Sequence, residues 1–162
     1  MKRFLLALLA VAAALISTGL AGGSSGYPYA PTSSSKHNSV HGGAAVALAK
    51  SRLGRILVDS RGRTLYLFQK DKGMASSCYS SCASVWPPLT TAGRPRALRG
   101  AVASKLGSWK RKDGTLQVTY NGHPLYYYAG DNKAGQTNGQ NLNEFGAEWY
   151  ALSSAGKKID RG

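Results

Sequence analysis

The chain has 162 residues, enough for one domain or for two small halves sharing a core. Its formal net charge is +14, from 21 lysines and arginines against seven aspartates and glutamates, a balance that attracts polyanions. Its long apolar run, Phe4 to Ile16, has 13 residues and is too short for a comfortable membrane span.

Lys2 and Arg3 precede that run, and Ser17-Thr18-Gly19-Leu20-Ala21 follows it with small residues at Gly19 and Ala21. This is the pattern of a secretory signal peptide over residues 1–21, with cleavage after Ala21. Cleavage there takes only Lys2 and Arg3 from the charge, so +14 becomes +12. Gly23 follows Leu20-Ala21-Gly22, where an exported lipoprotein carries its acylated cysteine. A secreted or envelope-associated product without a lipid anchor is therefore expected. For such a protein the polyanions within reach are anionic cell-wall polymers and the headgroups of a membrane surface, and nucleic acid is not expected as a partner.

Residues 22–43 are rich in Gly, Ser, Pro, Tyr and His and read as a flexible leader. His37 and His41 lie four apart in it, but without helical pattern or a third ligand they predict no metal site. From Ala44 the texture changes. Val46 and Leu48 alternate with smaller residues, Leu53-Gly54-Arg55 reads as a turn, and Ile56-Leu57-Val58 reads as a strand broken at Asp59 to Arg63. Leu65 to Phe68 is apolar on both faces, which suits a strand buried on both sides. Met74 to Cys82 is small and polar. Ala83 to Leu89 reads as an ordered loop held by Trp86, because Pro87 and Pro88 forbid a continued helix or central strand.

Residues 91–107, with Gly93, Pro95, Gly100 and three arginines, read as a linker. Leu116 to Tyr120 alternates, Asn121-Gly122 follows, and Leu125 to Tyr128 comes next. That order predicts a hairpin with both central residues at positive φ, and Pro124 belongs near the start of its strand. Gly130 to Gly146 reads as a polar loop, Glu148 to Leu152 as a last strand, and residues 156–162 as a basic tail.

One stretch organises the rest. Leu65-Tyr66-Leu67-Phe68-Gln69-Lys70-Asp71 returns as Leu125-Tyr126-Tyr127-Tyr128-Ala129-Gly130-Asp131. Aligning residues 54–71 with 114–131 at a fixed offset of 60 gives six identities and needs no gap. The expected organisation is an all-β domain over 44–155, mostly antiparallel, with long loops and little helix beyond the signal peptide. Repeat one covers 44–90, the linker 91–107 and repeat two 108–155.

The two copies of Tyr-x-aromatic-x-x-Asp, Tyr66/Phe68/Asp71 and Tyr126/Tyr128/Asp131, resemble the motif of a bacterial secreted-repeat family, predicted lipoproteins of unknown function. The segment Cys78-x-x-x-Cys82-x-x-x-Trp86-Pro87-Pro88-Leu89 is similar to that family's loop after its first motif, and the resemblance spans about residues 45–152. Gly23 departs from the lipidated members. The resemblance implies an exported envelope protein and supplies no activity.

The motif residues support two roles. As structure, Tyr66, Phe68, Tyr126 and Tyr128 are core aromatics, and Asp71 and Asp131 fix turns through backbone N–H bonds. As a site, the two aspartates and the tyrosines line a polar pocket for a cation, a sugar or a wall fragment. Cys78 and Cys82 are expected to form a disulfide in an oxidising compartment, closing a very short loop. The leading expectation is a non-enzymatic binding or structural module with no cofactor. The alternatives are a metal- or redox-linked accessory protein using the Cys78/Cys82 loop with Met74 nearby, and a weakly marked hydrolase using Asp71 and Asp131. No catalytic signature accompanies His123, the one histidine outside the leader.

Overall fold

The computed structural model describes residues 42–161. The signal peptide, its cleavage site, Gly23, His37 and His41 lie outside the described residues. Within them the chain is mostly β, in three small sheets. The first sheet joins β1 (Ala45–Ser51) and β2 (Gly54–Asp59) as an antiparallel hairpin. β3 (Tyr66–Phe68) enters a second sheet, and the short helix α1 (Ser81–Val85) follows it. β4 (Arg96–Ala97) adds to the first sheet, parallel to β1. After a 3-10 turn at Ala103–Lys105, β5 (Leu106–Lys110), β6 (Leu116–Tyr120) and β7 (His123–Pro124) make the third sheet. β8 (Asn143–Glu144) and β9 (Ala147–Ala151) complete the second in the order β3-β9-β8.

The Asn121-Gly122 hairpin forms as expected, with φ of 51° and 82° at its two central residues and Tyr120 paired to His123. β3 is buried along its whole length. Its alternation explains why both faces are apolar. Tyr66 and Phe68 enter one core cluster with Trp86, Tyr126 and Trp149, while Leu65 and Leu67 enter another with Leu57, Leu89, Val118 and Leu125.

The repeats are related about the pair Tyr66 and Tyr126. Tyr66 N–H donates to Tyr126 O at 2.9 Å, and Tyr126 N–H donates to Tyr66 O at 3.0 Å. The gap-free alignment does not hold throughout. Leu65 N–H donates to Leu57 O, whereas Leu125 N–H donates to Val118 O. Leu57 N–H bonds Leu152 O just as Val118 N–H bonds Leu89 O. Leu57, and not Val58, is thus the counterpart of Val118. The Asn-Gly turn is one residue shorter than the turn through Gly62, and the register shifts by one to keep Leu57 and Val118 on equivalent faces.

Three segments carry more structure than their composition suggests. The stretch read as a linker contains β4, whose partner is β1, and it runs into β5 at Leu106. The Ala83–Leu89 stretch, read as an ordered loop, begins inside a helix that runs from Ser81 to Val85 and stops before Trp86 and the prolines, as proline requires. The end read as a tail folds back on β9: Ile159 N–H donates to Ala151 O, and Gln140 Nε2 donates to Ile159 O and Arg161 O.

Candidate functional site

Each motif tyrosine reaches across to the other repeat. The Tyr66 hydroxyl donates to Asp131 Oδ2 at 2.6 Å, and the Tyr126 hydroxyl donates to Asp71 Oδ2 at 2.8 Å. The other carboxylate oxygen of each aspartate stays in its own repeat. Asp71 Oδ1 accepts Ser77 N–H at 2.7 Å, and Asp131 Oδ1 accepts Asn138 N–H at 2.9 Å. The spacing follows from the strand: Asp71 N–H and Asp131 N–H each close a turn onto the carbonyl three residues back, which carries the carboxylate past the strand end.

Two arginines repeat the exchange. Arg52, in the β1–β2 turn, donates through Nε to Thr137 Oγ1 at 2.7 Å. Arg111, in the β5–β6 turn, donates through Nη1 to Ser76 Oγ at 2.9 Å and Gln117 Oε1 at 2.6 Å, and through Nη2 to Cys78 O at 2.8 Å. Arg111 is only 4% exposed, and its Nε pairs with Asp113 at 3.1 Å. Each repeat thereby grips the loop that follows the other repeat's aspartate.

Between the clasps runs a column of rings. Phe68 stacks on Trp149, Trp149 on Trp86, both at 3.9 Å between centroids, and Tyr128 tilts over Trp86 at 4.5 Å. Tyr66 meets Trp86 edge-on at 5.4 Å, as Tyr126 meets Trp149 at 5.2 Å. Glu144 satisfies both indoles: Trp86 Nε1 donates to its Oε2 at 2.8 Å and Trp149 Nε1 to its backbone carbonyl at 3.2 Å.

Burial sets the electrostatics. Desolvation pushes the Tyr66 and Tyr126 phenols well above their usual range, and the carboxylates they bind add to the rise. Desolvation also pushes Asp71 up to about 6, against the lowering pull of the Ser77 N–H, the Tyr126 hydroxyl and Arg111. Burial lowers His123, whereas hydrogen bonds from Thr115 hold Asp113 down at about 2.

Asp71 borders a surface groove of about 610 Å³ with Gln69, Asn121, His123, Lys157 and Lys158, and Asp131 is not among its lining residues. Cys78 and Cys82 form a disulfide, and neither is free. Cys78 is fully buried beside Trp86, which is also fully buried. Among the described residues, three or more His, Cys, Asp or Glu side chains nowhere cluster as metal ligands would.

A family described as a secreted repeat of unknown function matches residues 47–90 and 107–153. The chain belongs to this family. Among curated proteins and solved structures, nothing matches it. The two matched segments of this secreted-repeat protein hold one clasp half each, and no helix among the described residues is long and apolar enough to cross a membrane.

Arg52, Ser76, Arg111, Thr137 and Glu144 are the members of the secreted repeat's network that sequence reasoning did not single out. In the sequence Arg52 and Arg111 count only toward the net positive charge. Their positions in the equivalent turns of the two hairpins were the available signal.

Proposed function

We propose that this secreted-repeat protein is a non-enzymatic binding or structural module of the cell envelope or extracellular space, and that its basic surface contacts anionic wall polymers. One observation carries the reading: four of the seven carboxylates are spent inside the fold. Asp71 and Asp131 accept tyrosine hydroxyls, Asp59 accepts the Tyr127 hydroxyl at 3.1 Å, and Glu144 accepts the Trp86 indole. Of the 21 lysines and arginines, Lys2, Arg3 and Lys36 lie outside the described residues, which leaves 18. Only Arg63, Arg111 and Lys158 of these have a carboxylate within ion-pair distance among the described residues. The remaining cations face solvent without compensation, and their field reaches about 10 Å at 0.1 M salt.

The alternatives have less support. A hydrolase needs two carboxylates flanking one bond, whereas Asp71 and Asp131 each have both oxygens engaged within the fold. A thiolate metal site needs free cysteines, and the Cys78–Cys82 disulfide removes them. Cosedimentation of the protein with purified insoluble wall polymer carrying phosphate or carboxylate groups tests the proposal. Binding is expected at low salt, with release as salt rises. Equal failure to bind at both salts overturns it.

A further inference from the structure

β1 and β5 are counterparts in the two repeats. Ala47 pairs with Val58, which bridges to Thr64; Gly107 pairs with Thr119, which pairs with Pro124. Val46 therefore corresponds to Leu106, and Leu48 to Ser108. The outer edge of β1 is filled. β4 and the residues around it lie along it in parallel: Arg96 N–H donates to Ala44 O at 2.8 Å, Leu98 N–H to Val46 O at 2.7 Å, and Leu48 N–H to Arg99 O at 3.0 Å.

The corresponding edge of β5 is open. Val118 spends its N–H on Leu89 O and its carbonyl on Leu125 N–H, both on the side away from β5. Its partner Ser108 therefore sits in a wide pair with its own N–H and carbonyl pointing outward, and the same alternation turns Leu106 and Lys110 outward. Leu106 N–H closes the preceding 3-10 turn on Ala103 O, and the outward groups of Ser108 and Lys110 have no backbone partner among the described residues. The chain's own continuation does not supply one. Leu152 is the counterpart of Leu89, but after it the chain turns at Ser153 to Lys157 and bonds back to β9.

We infer that the outer edge of β5 is a docking site for an extended acidic polypeptide segment, taken up as an added strand. The strand slot is defined by its filled counterpart on β1. Beside the edge, a groove of about 580 Å³ is lined by Leu106 and Ala103 together with Pro95, Ala97 and Leu98, with Arg94 and Arg96 at its wall. Trp109, 44% exposed, and Leu116 offer apolar surface next to the edge. A strand added here gains main-chain bonds from the edge and side-chain specificity from what flanks it.

Charge selects the occupant. Lys110 and Lys112 are exposed and Lys105 is half-buried around the edge, and Arg94 and Arg96 border the groove. A second copy joined through its own β5 brings like charges together, the usual way in which edge lysines discourage self-pairing. The leader of this chain, residues 22–43, contains Lys36 and no aspartate or glutamate, so it offers no complementary charge. A segment with glutamate or aspartate at alternate positions matches both the hydrogen bonds and the field.

The test is amide hydrogen exchange on the full chain with a short synthetic peptide alternating valine and glutamate. The acidic peptide is expected to slow exchange at the Ser108 and Lys110 amides by roughly tenfold or more, the equivalent of one added hydrogen bond each. The same peptide N-methylated at alternate residues, a lysine-for-glutamate version, and inorganic polyphosphate are expected to leave those amides unchanged. Ser108→Pro removes the outward N–H and is expected to abolish the effect. The exposed Lys110→Glu is expected to weaken acidic-peptide binding with the outward N–H intact, which keeps a result in hand if the proline variant does not fold. Protection by polyphosphate or by the N-methylated peptide overturns the inference, because it reports charge alone. So does unchanged exchange at saturating acidic peptide. Protection that grows with protein concentration without peptide means that a second copy fills the edge, and it overturns the inference as well.

Discussion

Tyr66 donates its hydroxyl hydrogen to Asp131, 65 residues along the chain, and Tyr126 returns the bond to Asp71. The partners of each motif thus lie in opposite repeats. A double-mutant cycle reads this directly. Tyr66→Phe with Asp131→Asn is expected to show a coupling of about 1–3 kcal/mol, as contacting residues do. Tyr66→Phe with Asp71→Asn is expected to add within about 0.5 kcal/mol, as independent sites do. The reverse result, with coupling confined to residues of one repeat, contradicts the exchange of partners. Urea unfolding of the native chain, the three single variants and the two double variants supplies the numbers.

The pH profile of stability should carry the mark of Asp71. Its folded-state pKa of about 6 lies above the ordinary carboxylate value of 3.8. The folded state then binds a proton more tightly than the unfolded state between those values. Stability from this group is least above pH 6 and rises as pH falls toward 4, by at most about 3 kcal/mol. His123 works the other way, because burial lowers its pKa and the folded state resists its proton. The difference between the native chain and Asp71→Asn isolates the carboxylate: it should change between pH 4 and 7 and be level below that window. An unchanging difference across the range removes the assignment.

The ring column should tolerate no added atom. A Cβ on Gly139 stands 2.7 Å from Trp86 Cη2, and that indole cannot retreat because Trp149 lies 3.9 Å behind it. Gly139→Ala is expected to cost about 1–3 kcal/mol by overpacking. Trp149→Ala removes the shared centre of the column and is expected to cost about 3–5 kcal/mol. Thermal unfolding followed by near-ultraviolet circular dichroism measures both. A Gly139→Ala melting curve that overlays the native one would show that the ring has room.

The Cys78–Cys82 disulfide should matter less than the tryptophan it packs against. It closes a loop with three residues inside, for which chain entropy gives about 2 kcal/mol. Cys78→Ala with Cys82→Ala keeps the site apolar and is expected to lose about that much while the fold persists. Denaturant unfolding of the double variant decides it, and loss of folding altogether would assign the disulfide a larger part.

The parts of the fold that were legible are those in which short-range chemistry decides. Asn121-Gly122 marks its own hairpin, because few residue pairs accept positive φ twice running. Leu65 to Phe68 reads as two-sided because the strand separates two apolar clusters. What was hidden depends on partners far along the chain. Tyr-x-aromatic-x-x-Asp has the same spacing whether the tyrosine binds its own aspartate or the other repeat's, so sequence carries no trace of the exchange. β4 is two residues long, follows Pro95 and alternates nothing, and only β1 beside it makes it a strand. The one-residue shift was concealed by the glycines and valines that align at offset 60 while their backbones do not. Glu144 sits in a polar loop and gives no sign of the two indoles that converge on it.

The exchanged clasp also fixes the molecularity of folding. A chain holding one repeat has a tyrosine without its carboxylate, a carboxylate without its tyrosine, and half of a ring column. It can complete them only in a second molecule, at a rate and extent that depend on concentration. Joining two repeats through residues 91–107 makes the same encounter intramolecular, with an effective concentration in the millimolar range for short connections. Stability then becomes independent of dilution, a property suited to a member of a family described as a secreted repeat.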